Sequence, residues 1–124
     1  SAGLDRCACI DEQGTVAGRG GAVVGKGNAI DLPRPEYAAF GFARSSLCIK
    51  HGIGLLNGVG VIDSDYRGEI RVGLVNQFDE PYTIEPGERI AQLIVLPVPA
   101  VTVETADALD DTARGAGGFG SSGR

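Results

Sequence analysis

Eight consecutive residues, Ile62-Asp63-Ser64-Asp65-Tyr66-Arg67-Gly68-Glu69, bring acidic side chains and a phenol to one short turn. Asp63 closes an apolar arm, so it is expected to be held rigidly and partly desolvated, which suits a general base acting on water. A solvated Asp-rich turn has the same make-up. Arg44-Ser45-Ser46-Leu47 follows a strand-like run and opens a helical turn behind a serine cap, where free backbone N–H groups favour anions. A plain helix cap is the alternative. Ala2-Gly3-Leu4-Asp5 offers one carboxylate. Mg²⁺ keeps several waters and takes one or two carboxylates, so Asp5 fits a hydrated Mg²⁺ as well as it fits an exposed chain end. In Gly87-Glu88-Arg89-Ile90-Ala91-Gln92 a lone amide, Gln92, stands in an apolar run and needs a partner, structural or ligand. The last eleven residues, Arg114 to Arg124, combine five glycines with Phe119, Ser121, Ser122 and two arginines. Glycines let the main chain approach oxygens closely, hydroxyls and guanidinium groups bind phosphate, and an aromatic ring stacks on a base. That is the composition of a flap over a flat ring and a phosphate chain; a disordered Gly/Ser tail shares it.

The elements that must position these residues read as short strands. Tyr37 to Ala43 and Glu69 to Asn76 alternate, with Ile70, Val72 and Leu74 facing one way. Ala22 to Val24, Asn28 to Leu32 and Val101 to Val103 are shorter candidates. Ser45 to Lys50 reads as a single helical turn, Ile53 to Ile62 as a Gly-punctuated hairpin, and Pro81 to Gly87 as a turn. Arg89 to Val98 is apolar almost throughout, so it is expected to be buried on both faces. Many short strands joined by Gly/Pro turns predict an all-β barrel or sandwich, and the apolar last strand predicts oligomerisation.

A chain of 124 residues makes one domain with one modest core. The net charge of −5 argues against polymeric nucleic acid, which needs a basic face, but leaves room for one small nucleotide. The sequence has no apolar run of about 18 residues, so no transmembrane helix is expected. It opens without a basic, apolar leader, and the lack of a first Met suggests trimming. Three cysteines, an odd number without a framework pattern, imply reduced thiols and a cytoplasmic setting. Cys7, Cys9, Cys48 and His51 form a loose zinc candidate whose spacing is unlike structural zinc sites. Gly115, Gly117 and Gly120 match G-x-G-x-x-G, but no βαβ unit follows them.

Taken in order, SAGLD, RSSL, GVIDSDYRGEI, GERIAQL and RGAGGFGSSG resemble the five motifs of the trimeric dUTP diphosphatase (dUTPase) family, and the likeness spans nearly the whole chain. The resemblance implies an all-β, jelly-roll-like barrel, a homotrimer with three active sites between subunits, and Mg²⁺-assisted hydrolysis of dUTP to dUMP and diphosphate. That reaction limits uracil incorporation into DNA and supplies dUMP. By the same resemblance Asp63 activates the attacking water and touches the deoxyribose 3′-OH. Tyr66 packs under the sugar and excludes a ribose. Asn57, the backbone of Val61, Ile62 and Asp63, and the main chain of Arg71 read uracil. Arg44, Ser45 and Ser46 bind phosphate with Gln92 nearby, and Asp5 binds the metal through water. Arg114, Phe119, Gly120, Ser121 and Ser122 belong to the flap, with Phe119 over uracil and Arg114 at the terminal phosphate. Residues 1–113 form the β domain and 114–124 the flap.

Some residues depart from the family pattern. Arg6 stands where an apolar residue usually follows the aspartate, and it is expected to shift Asp5. Ala43 replaces a proline and is expected to loosen the phosphate loop. Gly25 and Lys26 replace Pro-Thr. The chain begins at the first motif, without the N-terminal strand usual in the family, and its loss is expected to weaken folding or oligomerisation. Two rivals remain at this point. A dCTP deaminase shares the fold and an R-S-S-L-like segment, and a non-catalytic trimer could keep nucleotide binding without turnover.

Overall fold

The computed structural model describes residues 2–25 and 27–123. Lys26 and the tail's second arginine, Arg124, lie outside the described residues, as does Ser1. The strands are β1 (Leu4–Cys7), β2 (Gly14–Val16), β3 (Gly21–Gly25), β4 (Tyr37–Ala43), β5 (Ile53–Leu55), β6 (Gly60–Ile62), β7 (Arg71–Asn76), β8 (Tyr82–Ile84) and β9 (Arg89–Pro97). One helix, α1 (Ser45–His51), follows β4. The strands form three antiparallel sheets, in the orders β1-β9-β4-β6, β3-β7-β5 and β2-β8. The fold is all-β and jelly-roll-like, as expected, although the sheets do not close into one barrel. No helix of the described residues is long and apolar enough to cross a membrane.

Alternation explains the central strands. Along β7 the side chains of Val72, Leu74 and Asn76 are buried while Arg71, Gly73 and Val75 are not, so one face meets the core. They pack with Val16, Val24, Leu47, Ile53, Ile84 and Ile90. In β4, small residues let the strand sit between β9 and β6, with Ala39 fully buried. The helix starts from Arg44, whose extended backbone (φ −95°, ψ 131°) serves as N-cap with no side-chain hydrogen bond. The expected serine cap is therefore absent, because Ser45 is already helical. At the other end Gly52 stops the helix at φ 70°, and a Cβ there would sit 2.6 Å from the Phe78 ring.

Five expectations are corrected. The segment from Ile53 to Ile62 is no paired hairpin: β5 pairs with β7 and β6 with β4, so its arms belong to different sheets. Asn28 to Leu32 is not a strand; its one ladder-like bond is Ile70 N–H to Asn28 C=O, 3.0 Å. Val101 to Val103 is not a strand either, and those two valines are 84% and 93% exposed. β9 is buried on both faces only over its first half, where Ile90, Ala91 and Leu93 are covered, while Val95 and Leu96 remain about two-fifths exposed, at 41% and 42%. The Pro81 to Gly87 stretch also holds more than a turn, because β8 forms within it.

A buried polar group ties these sheets. Asn76 is 0% exposed. Its Nδ2 donates to Val16 C=O at 3.2 Å and Glu80 C=O at 2.7 Å, and its Oδ1 accepts from Phe78 N–H at 3.0 Å. Replacing it with a near-isosteric apolar residue strands three backbone groups. Asn76→Leu is expected to lose about 2–4 kcal/mol of stability, read as a lower urea midpoint at unchanged slope. An unchanged midpoint would mean that water reaches those groups.

Candidate active site

The splayed arms around Ile53 to Ile62 open a cavity between two sheets. Its volume is about 300 Å³, and Asn57, Val61, Ile62, Asp63, Tyr66 and Arg71 all line it. That size is at the small end of ligand pockets, which run from about 300 to 1,000 Å³. The six residues expected to read base and sugar are thus brought together.

The turn carrying Asp63 is locked by its own sequence. Tyr66 N–H donates to Asp63 C=O at 3.2 Å, and the Tyr66 hydroxyl donates to Glu69 C=O at 3.0 Å. Arg67 donates to Ser64 C=O at 2.8 Å and pairs with Asp31 at 2.9 Å. Glycine at residue 68 makes room for the Tyr66 ring, because a Cβ there would push the Tyr66 hydroxyl from its place. Glu69 Oε1 accepts from Gly27 N–H at 3.0 Å and Oε2 from Arg71 Nε at 3.1 Å. Asp63 is held in place as expected, but it is exposed rather than partly desolvated. Within one chain no element covers that rim, so any drying of the site must come from ligand, flap or another subunit.

A second constellation forms where β1, β4 and β9 meet. Asp5 lies opposite Gln92, and Gln92 opposite Phe42. The Asp5 carboxylate sits between two guanidinium groups. Arg44 Nη1 donates to Oδ1, and Arg89 Nη1 donates to Oδ2 at 3.2 Å. Gln92 Nε2 donates to Ala43 C=O at 3.0 Å, the main chain just before Arg44. Its partner is therefore structural. Ser45 and Ser46 stand exposed on the first turn of α1. The Arg44–Asp5 pair forms with Arg6 and Ala43 in place. Arg89 was not singled out from sequence, although it belongs to the GERIAQL segment that carries Gln92.

Strand alternation separates the two constellations. On β1 and β9, alternation puts the Asp5 and Gln92 side chains on one sheet face and Arg6, Ala91 and Leu93 on the other; the latter three line the cavity, and Gln92 also borders it. The tail joins neither group. Residues 101–123 are almost wholly exposed, Phe119 completely so. The tail's hydrogen bonds among the described residues are local, such as Arg114 Nε to Gly117 C=O at 2.7 Å and Ser121 N–H to Gly118 C=O at 3.1 Å. Arg114, Phe119, Gly120, Ser121 and Ser122 therefore do not meet Asp63 within the chain. The loose zinc candidate gains no support, since no three His, Cys, Asp or Glu side chains cluster among the described residues. His51 instead packs against Tyr82, ring centroids 4.7 Å apart.

A family model described as dUTPase matches residues 1–123. The chain belongs to the dUTPase family. A deoxyuridine 5'-triphosphate nucleotidohydrolase of Desulfitobacterium hafniense is 50% identical over 123 residues, which cover 99% of this chain and 82% of the relative. One of the same name from Idiomarina loihiensis is 47% identical over 124 residues, covering 100% and 82%. Among solved structures, a mutant dUTPase of Staphylococcus bacteriophage 80alpha with dUpNHpp superimposes at a TM-score of 0.88 with 24% identity, over 100% of this chain and 87% of that one. The dUTPase of Streptococcus mutans gives 0.75 with 28% identity, over 83% of each. Membership in the dUTPase family disfavours the deaminase reading. So does Glu69, whose two carboxylate oxygens are already occupied by Gly27 and Arg71.

Proposed function

We propose that the chain hydrolyses dUTP to dUMP and diphosphate, in a homotrimer whose subunits share each site. The observation that carries this reading is the cavity between the splayed arms, with Asp63 and Tyr66 at its rim. Asn57, the main chain of Val61 to Asp63 and the main chain of Arg71 bind uracil there. Tyr66, fixed by its bond to Glu69, forms the floor under the sugar and leaves no room for a 2′-hydroxyl. A site with fixed donors and acceptors rejects a wrongly patterned base by about 10⁴ or more, because its polar groups would be left unpaired.

Arg44, Ser45 and Ser46 take the phosphates, and Arg89 belongs with them through its shared partner Asp5. The residues present fit a magnesium ion. Mg²⁺ keeps waters and leans on substrate phosphates, so one partly exposed carboxylate suffices, and each Asp5 oxygen retains a lone pair for a metal-bound water. Bound there, Mg²⁺ would neutralise phosphate charge. Asp63 accepts a proton from water as the oxygen bonds to phosphorus, and the phosphoanhydride breaks with its bridging oxygen leaving on diphosphate.

The sheared arrangement of one chain supports the trimer. Asp5 and the cavity occupy opposite faces of a sheet, so one chain's phosphate residues serve another chain's cavity. The uncovered ends of β9, Val95 and Leu96, supply apolar surface for assembly. Residues 114–124 close a neighbour's site as a flap, joined to the β domain 1–113. The stretch from Val98 to Arg114 spans up to about 50 Å when extended, enough to cross to another subunit. Three cysteines outside any disulfide, Cys7, Cys9 and Cys48, suit the cytoplasm.

Because Asp63 shares its cavity with the base and sugar, its water is nearest the first phosphorus. Hydrolysis in ¹⁸O-labelled water is therefore expected to place the label in dUMP, read by ³¹P NMR. Label in diphosphate would contradict this placement of the base.

A further inference from the structure

Arg6 has no role among the residues assigned so far, yet it lines the same cavity as Asp63 and Tyr66. Alternation on β1 sends Asp5 to one face and Arg6 to the other, opposite Ala91 of β9. Its neighbours there, Ala91 and Leu93, are 2% exposed and offer no side-chain acceptor. The Arg6 Nε is buried without a hydrogen-bond partner. None of the ion pairs among the described residues involves it. A buried donor without an acceptor is costly and rare. An apolar side chain would pack against Ala91 and Leu93 without that cost, and arginine stands there instead.

We infer that Arg6 is a further substrate-contacting residue, whose Nε–H donates to an oxygen on the base–sugar end of the nucleotide in this cavity. The inference rests on the proposed dUTP site. The base–sugar end is favoured over the phosphates because the residues assigned to phosphate lie on the opposite face of the sheet. A ring carbonyl or a sugar oxygen supplies the acceptor that the Nε–H does not find within the chain. The Nε is closed to solvent in the free chain, so the ligand reaches it through a small shift of the Arg6 side chain.

Calorimetric titration of the full chain with dUMP and with deoxyuridine, for wild type and Arg6→Met, tests this. Methionine keeps length and flexibility without a donor. The expected result is an affinity about tenfold lower for both ligands, with a ligand-free Tm equal to or above that of wild type. Equal affinity of the two proteins overturns the inference, and so does a loss confined to dUMP, which would place the guanidinium at the phosphate. A second reading needs no variant. In ¹⁵N NMR spectra of wild type, the Arg6 Nε–H signal should shift and exchange more slowly with dUMP bound; an unmoved signal overturns the inference. If wild type binds neither ligand, the nucleotide site falls and Arg6 with it. If wild type binds and hydrolyses while Arg6→Met matches it, only the role of Arg6 falls.

Discussion

Asp63→Asn is expected to bind dUTP nearly as well as wild type and to turn it over about 10²–10⁴ times more slowly, the usual contribution of a positioned general base. Asparagine preserves the shape of the side chain and a hydrogen-bonding oxygen, so the turn closed by Tyr66 N–H and Asp63 C=O should survive. What it removes is the capacity to accept a proton from water. The loss should therefore fall on kcat with KM little changed, since the interaction matters only as the reaction proceeds. Folding is a weak confounder here, because the Asp63 side chain is exposed and no core residue depends on it. A variant with wild-type kcat would place the base elsewhere.

Removal of residues 114–124 is expected to leave the trimer and its Tm intact while lowering kcat by roughly 10²-fold or more, through lost positioning and lost charge stabilisation. The tail's bonds among the described residues are local and its side chains are exposed, so little folded structure rests on it. The groups deleted include the Arg114 guanidinium, the Ser121 and Ser122 hydroxyls and the Phe119 ring. Sedimentation would report the assembly and a diphosphate assay the rate. An unchanged rate would make the segment an inert tail.

The strands that alternate clearly were legible in the sequence. β7 follows from its pattern, because one face meets the core and the side-chain period is two, and β4 forms where small and aromatic residues alternate, although the adjacent Ala38 and Ala39 are both buried. The three-residue strands β2 and β8 were not, since a run as short as Gly14-Thr15-Val16 carries no period to detect. The segment from Ile53 to Ile62 misled for a different reason. Its two apolar arms around Asn57 and Gly58 look like a hairpin, but pairing is decided by what lies beside each arm, β7 for one and β4 for the other. That misreading concerns the site directly, because the divergence of the arms is what makes the cavity. The β9 strand looked buried along its whole length because composition does not reveal that its second half, with Val95 and Leu96, lies uncovered within the chain.

Within the site, residue types were legible and geometry was not. Asp63, Tyr66 and Asn57 share a cavity, and Asp5, Arg44 and Gln92 share a strand junction, each within a motif that was visible in order. That these groups occupy opposite faces depends on strand register, which a sequence of isolated motifs does not contain. The same register turned Arg6 from an unexplained departure into a cavity residue.

The most direct test is diphosphate release from dUTP, dCTP, dTTP and UTP, each with Mg²⁺ and with a chelator. Rapid release from dUTP alone, lost on chelation, is the result expected from the proposed roles of the cavity in choosing the base, of Tyr66 in choosing the sugar and of a metal at the phosphates. Comparable release from UTP or dCTP, or none from dUTP that still binds, would contradict dUTP hydrolysis as the chain's activity.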